Sequence, residues 1–453
     1  MKKFIYSIFL AAVCGSCSLD IPYDNQFSDP DAISKPETAR ELLASAYAAL
    51  PNMEFDLSLM TDDFSPTYWA SSNPTLLNQY NWQPQAVQDL SSTTWSEYYG
   101  VIATLNALIE RVPALPAGAE TSRIHAESLA LKAYCYFQLL RLYGPDYAAD
   151  PEADAIVLKD ALAMANLKRS SVKEVVTEIK RLLTTSLNGM GDAENGTDWL
   201  GPDAARILLA QAQLYAGEYG EAAATAWQVL SSRGYEPFSA ATYRDLWTGG
   251  RCDERVFAYN SPVNSQSFYI GIVYDATGGD YFAINPTLAA SYAENDCRRE
   301  ASVYTAVSPT IGQQDYFGKY NALRKDQREI ELINKLRLSD ALFTFAEASC
   351  LSGAEGETKA VEAMNEYLSR RGADALPAGL TGTELLKAVL AEKHKEFVGE
   401  GMRYFDLKRY GDIITPRGIL PGDYRWCWPI PRDEYLYNSN MTQNPQWPMT
   451  SFD

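Results

Sequence analysis

Residues 392–411 read EKHKEFVGEGMRYFDLKRYG, and the order of their charges decides how the C-terminal half folds. Glu396, Glu400, Arg403, Asp406 and Arg409 recur at spacings of three or four, which on a helix places them on one face. The periodicity predicts one helix over 384 to 409. Acids and bases so arranged pair along the helix and with neighbouring helices, so the stretch reads as structural rather than catalytic.

The same period recurs upstream. Over 121 to 143, Ala126, Ala130, Ala133, Phe137 and Leu140 form one stripe, and Gly144-Pro145 supplies a stop. Alanine on a helix stripe means close packing. A second block opens at Pro202-Asp203, where Leu208, Leu209, Ala212, Tyr215, Gly217, Tyr219, Ala222 and Leu230 follow the order of a tetratricopeptide helix pair. One such unit cannot bury its own face, so others are expected. Helices at 36 to 50, 92 to 112, 170 to 188, 337 to 352 and 357 to 371 provide them. Their spacing is irregular, which gives a mainly α fold: an irregular tetratricopeptide-like helical-repeat scaffold with long loop-rich inserts.

The chain has 453 residues, 46% hydrophobic and 21% charged, an ordinary globular composition that disfavours wholesale disorder and a multi-span membrane protein. Its 39 basic and 58 acidic residues leave a net charge of −19, a field that repels polyphosphate and argues against nucleic acid as a partner. The two histidines, His125 and His394, sit far apart in helical patterns, and no metal-ligand spacing occurs. No cofactor or metal is expected. Glycine-rich nucleotide loops and the nucleophile elbow are absent as well. A glycosidase working through a carboxylate pair survives this filter, because acids cannot be sorted into pairs without geometry.

Lys2 and Lys3 precede an apolar run from Phe4 to Val13, followed by Cys14, Gly15 and Ser16, the order of a secretory signal. A run of this length is too short for a membrane-spanning helix, which needs about 20 apolar residues. Cleavage after Ser16 would leave Cys17 first, which resembles a bacterial lipoprotein signal with the Cys17 thiol taking the lipid. Residues 1–16 are therefore read as a signal peptide and 17–453 as a single domain. The cysteines left over, Cys135, Cys252, Cys297, Cys350 and Cys427, are odd in number and widely spaced, which argues against a disulfide framework. Cys135 and Cys350 read as small buried hydrophobes.

Two inserts, at about 51–91 and 236–336, show no period. Loops this long inside a domain are usually functional. The first carries Phe64, Tyr68, Trp69, Tyr80 and Trp82; the second carries Trp247, Tyr259, Phe268, Tyr269, Tyr274, Tyr281 and Phe282. Aromatic rings among short amides and carboxylates suit sugars, whose C–H faces stack while their hydroxyls need donors and acceptors. Most of these rings read as satellite cores beneath the loops. Tyr68 and Trp69 are the exceptions, because Ala70, Ser71, Ser72 and Asn73 beside them are small and polar.

Specific motifs add a family resemblance. Arg337-Leu338-Ser339-Asp340, Phe345-Ala346-Glu347-Ala348 and Asn365 leading to Arg370-Arg371-Gly372 are similar to a motif series of the SusD/RagB family. Glu392, Glu396-Phe397, Glu400-Gly401-Met402-Arg403 and Asp406-Leu407-Lys408-Arg409 resemble its later signature, and Trp428-Pro429-Ile430-Pro431 with Gln443-Asn444-Pro445 its closing elements. Upstream, Trp95, Tyr98-Tyr99, Ile102 and Asn106, then Ala126-Glu127 and Ala133-Tyr134 through Tyr143-Gly144, continue the likeness. Lys132 and Lys393 stand where the family has arginine.

The resemblance implies a glycan-binding lipoprotein of the outer membrane of a Gram-negative bacterium. Such a protein is anchored through Cys17, exposed at the cell surface and not an enzyme. It captures an oligosaccharide or polysaccharide and delivers it to a SusC-like TonB-dependent transporter. Binding of peptides or glycoproteins, as in RagB-like members, is the alternative within the family; a glycoside hydrolase is the alternative from another class. The resemblance further implies a shallow binding face built by the two inserts. On it Trp69 is the principal plate, Tyr68, Tyr274 and Tyr281 are subsidiary plates, and Asn73 and Asp63 are hydroxyl partners.

Overall fold

The structure, a computed structural model, describes residues 33–160, 166–191, 193–260, 281–308, 312–319, 332–415 and 418–448. Residues 1–16, read above as a signal peptide, and Cys17 lie outside the described residues. The chain begins with α1 (Pro36–Ala48), α2 (Glu54–Leu59), β1 (Phe64–Pro66), α3 (Pro74–Tyr80), α4 (Pro84–Arg111) and α5 (Ala119–Tyr143). Proline opens α1, α3 and α4, where its missing N–H is one that no helix partners. The antiparallel pair β2 (Asp154–Ile156) and β3 (Ser170–Ser171) leads into α6 (Val172–Met190), which a Ser171–Glu174 capping box closes. α7 (Pro202–Tyr215) and α8 (Tyr219–Arg233) then form the tetratricopeptide-like pair, turned at Gly217 with φ +77°.

Close packing follows the alanine stripe. Ala126, Ala130 and Ala133 are fully buried, and the Ser186 hydroxyl of α6 donates to the Ala126 carbonyl at 2.6 Å. α5 is buried on nearly every side because α4 and α6 flank it. Cys135 of α5 is a buried free thiol, as the pattern predicted.

The central region holds α9 (Ala240–Thr248), β4 (Arg255–Asn260), β5 (Phe282–Ile284), α10 (Pro286–Ala290), α11 (Cys297–Ser302), β6 (Val303–Ser308), β7 (Gly312–Phe317) and β8 (Leu332–Arg337). Among the described residues these strands make only two-stranded antiparallel pairs: β1 with β5, β4 with β8, β6 with β7. The insert at 51–91 is therefore not a loop. It contains α2, β1, α3 and the first two turns of α4, elements too short to show a period in sequence.

The C-terminal helices are α12 (Leu338–Cys350), α13 (Ala354–Arg371), α14 (Gly382–Phe397), α15 (Met402–Tyr410) and α16 (Arg432–Tyr437). Every residue of α12 is buried, Cys350 included, since α7, α8, α13 and α14 surround it. The single helix expected over 384 to 409 is two, broken between Phe397 and Met402. Gly399 and Gly401 both take φ +76°, a region that costs other residues strain. A Cβ on Gly399 would also lie 2.2 Å from the Phe317 ring.

The break turns the charges of 392–411 toward other elements rather than along one helix. Arg337, 1% exposed, bonds Glu254, Glu396 and Glu400, and fully buried Arg371 bonds Glu254 and Glu396. Lys319 donates to Glu400, and the Tyr367 hydroxyl donates to Glu396. Lys393 bridges Glu347 and Asp406, while Arg409 donates to Glu347. Burial pushes the Glu396 carboxyl up, but Arg371 and Arg337 outweigh it and hold Glu396 far below the usual carboxylate range. The sequence motifs are thus the charged interior that joins α12, α13, α14 and α15.

Candidate functional site

β1 delivers the candidate site. Phe64 points inward, fully buried and edge-on to Phe317 at 5.5 Å, while β5 fixes the strand from the other insert through pairs such as Ser65 with Ala283. The chain then leaves the sheet under tight control. The Thr67 backbone N–H donates to the Tyr281 carbonyl at 2.9 Å, and the Thr67 hydroxyl donates to the same oxygen at 3.2 Å. That hydroxyl also accepts from the Trp69 N–H at 3.1 Å. A 3-10 turn over Ala70–Ser72 follows, and Asn73 caps α3 by accepting from the Leu76 N–H at 3.2 Å.

This scaffold holds two adjacent rings in water. Tyr68 is 71% exposed and Trp69 36%, with ring centroids 5.1 Å apart and planes at 84°. An edge-to-face pair braced at both ends needs little ordering to receive a ligand, because each ring has only two χ angles. The ledge joins the two inserts, since Thr67 belongs to one and Tyr281 to the other.

The remaining predicted site residues fall differently. Tyr281 supports the ledge through its carbonyl, and its ring is half-buried against the core. Asn73 is half-buried with its side-chain oxygen committed to the cap. Tyr274 lies outside the described residues. Asp63 is corrected by the structure: it is fully buried, accepting from His394 Nε2 at 2.8 Å and from the Gly399 N–H at 2.9 Å. Buried and with both oxygens engaged, Asp63 is not a surface partner for hydroxyls.

A cluster that the sequence reading did not assemble surrounds Asp63. Asp62, Asp63 and His394 bring ligand-type atoms within 4.8 Å of one another. Arg403 donates to both Asp62 oxygens at 2.7 and 2.8 Å. Burial raises the Asp62 carboxyl, yet Arg403 and His394 bring it below its ordinary value. With Arg403 and the Gly399 N–H on its acceptors, the cluster is an ion-pair lock between the base of the ledge and the α14–α15 break.

Among the described residues most other insert aromatics are core, as the sequence suggested. Trp82, 1% exposed, stacks on Tyr404 at 5.5 Å and donates its indole N–H to the Met60 carbonyl. Trp247 is equally buried, with Lys319 over its ring at 4.6 Å. Tyr80 and Phe282 pack together at 5.3 Å.

A family model described as "Starch-binding associating with outer membrane" matches residues 19–195, and the SusD family model matches residues 317–424. Between them they take in more than half of the chain, including β1, the ledge and the buried charge cluster apart from Glu254. The chain belongs to the SusD/RagB family. A curated SusD-like protein, P38 of Formosa agariphila, is 25% identical across 98% of this chain and 99% of its own. The crystal structure of a SusD superfamily protein from Bacteroides thetaiotaomicron superposes with a TM-score of 0.77 at 20% identity, covering 91% of this chain and all of that one. A SusD-like carbohydrate binding protein from Bacteroides vulgatus gives 0.74 at 18%, covering 90% and 97%. These likenesses establish the SusD fold over about nine tenths of the chain.

Proposed function

We propose that this SusD-like protein binds carbohydrate on the Tyr68–Trp69 ledge and passes it, uncleaved, to a SusC-like TonB-dependent transporter in the outer membrane. The exposed, braced ring pair carries the reading. Tyr68 is largely exposed and Trp69 about one-third exposed beside a 3-10 turn, a cap and two bonds to Tyr281, and a sugar ring stacks on such faces. Trp69 is the principal plate and Tyr68 a subsidiary one. Tyr281 backs them, the Asn73 amide flanks them, and Tyr274 belongs to the same insert as Tyr281.

The descriptions of related proteins support the ligand class: starch for the family model, carbohydrate for the Bacteroides vulgatus protein. The membrane attachment is a lipid on Cys17. No helix among the described residues is long and apolar enough to cross a bilayer. Cys17→Ala is expected to release the protein from membranes, checked by fractionation and lipid labelling. A labelled, membrane-bound Cys17→Ala protein would contradict the anchor. Screening the soluble protein on a glycan array identifies the sugar, and an array on which no glycan binds would contradict the ligand class.

A further inference from the structure

Helices α8, α12 and α13 enclose a groove of about 730 Å³ that belongs neither to the ledge nor to the charged interior. Its floor is made of Ala223, Ala224 and Trp227 of α8. The Trp227 ring lies tilted by 37° against buried Phe345 at 5.1 Å, and Trp227 remains 43% exposed. Of the other large apolar side chains of α8, Val229 and Leu230 are buried and Tyr219 is half-buried, whereas Trp227 presents its indole to the groove. The volume falls in the range of ligand-binding clefts, roughly 300–1,000 Å³.

The opposite wall is acidic. Glu355, Glu362 and Glu366 project from one face of α13 with Lys359 among them. Lys359 is paired with Glu355 at 2.7 Å, and Arg370 offsets Glu366 at 2.9 Å. Glu362 is exposed and has no ion-pair partner among the described residues. At the end of the groove, burial first and the charge of Glu366 second push the Tyr235 hydroxyl up to about 12. The face of an indole and a carboxylate across a small-residue floor are complementary to a cation on an aliphatic stem. The net charge of −19 makes a second copy of this chain a poor occupant.

We propose that this groove docks a basic segment of another polypeptide, with a lysine or arginine head between the Trp227 face and Glu362 and its methylenes along Ala223 and Ala224. The assignment does not depend on the ledge. The test is calorimetric titration of the full chain with the blocked peptide acetyl-Leu-Lys-Leu-Arg-Leu-amide and with an uncharged analogue carrying norleucine and citrulline in place of lysine and arginine. The charged peptide is expected to bind, and to weaken as salt is raised from about 0.01 M to about 1 M and the Debye length shrinks from about 30 Å to about 3 Å. Glu362→Gln is expected to weaken it about fivefold and Trp227→Ala at least about fivefold, the order of a partly exposed cation–π contact. Tyr68→Ala with Trp69→Ala is expected to leave it unchanged. Glu362 is exposed, so Glu362→Gln reads the contact even if Trp227→Ala perturbs folding. Absence of binding, equal binding of the uncharged analogue, an unchanged affinity in Glu362→Gln, or loss of binding only in the ledge variants would each overturn the proposal.

Discussion

Residues just before and just after β1 do opposite work. Tyr68 and Trp69 face water, while Asp63, a few positions earlier, is sealed in by His394 and Gly399. Truncating each should therefore move different observables. Tyr68→Ala is expected to weaken glycan binding by about 1 kcal/mol or more and to leave stability within about 0.5 kcal/mol, since its ring leaves no cavity. Asp63→Ala strands the Gly399 N–H and the His394 ring, and is expected to cost at least about 2 kcal/mol of stability. Urea melts beside binding isotherms separate the two; an Asp63→Ala protein of full stability that fails to bind would return Asp63 to the surface. The exposed pair was legible in sequence because its small polar neighbours offer nothing to bury two rings. The role of Asp63 was not legible, because its partners stand more than 330 positions away and only the fold brings them close.

The long helices declare themselves by period, and the structure places α5, α6, α7, α8 and α12 within a few residues of where the apolar spacing put them. The short ones did not. α2 and α3 are held by their neighbours rather than by a stripe of their own, so the segment read as a loop. The break between α14 and α15 was also hidden, since charges at helical spacing run straight through Gly399 and Gly401. What decides it is the Phe317 ring against Gly399 and the bond from the Gly401 N–H to the Ser58 hydroxyl at 2.9 Å. Gly399→Ala combines a left-handed φ with that clash, and is expected to destabilise by at least about 2 kcal/mol. Gly379→Ala, at φ +80° with open space around it, is expected to cost only about 1 kcal/mol. Chemical denaturation compares them, and equal costs would show that the Phe317 contact carries no weight.

Across the whole molecule two buried carboxylates, Glu347 and Glu396, make stability depend on acid. Burial pushes the Glu347 carboxyl up, but Lys393 and Arg409 bring it down to about 2, and Glu396 is likewise held low by Arg371 and Arg337. A carboxylate depressed in the folded state adds stability above its unfolded pKa of about 4.3, and loses it as pH falls toward the folded value. Urea midpoints are therefore expected to drop between about pH 5 and pH 2 and to change little above pH 5 on account of these groups. Arg371→Met leaves Glu254 and Glu396 short of a partner in the interior, and is expected to cost about 3–5 kcal/mol. Asp62 and Asp63, just ahead of β1, are tied to the same C-terminal helices through Arg403 and the Gly399 N–H. The most direct test of what the ledge is for is calorimetric titration of the protein and its Trp69→Ala variant with soluble oligosaccharides, followed by an assay for new reducing ends. The predicted result is binding by the native protein, a loss of about 1–3 kcal/mol in Trp69→Ala with its melting curve intact, and no reducing ends from either. Binding that survives Trp69→Ala undiminished, or release of reducing ends that a single carboxylate substitution abolishes, would contradict it.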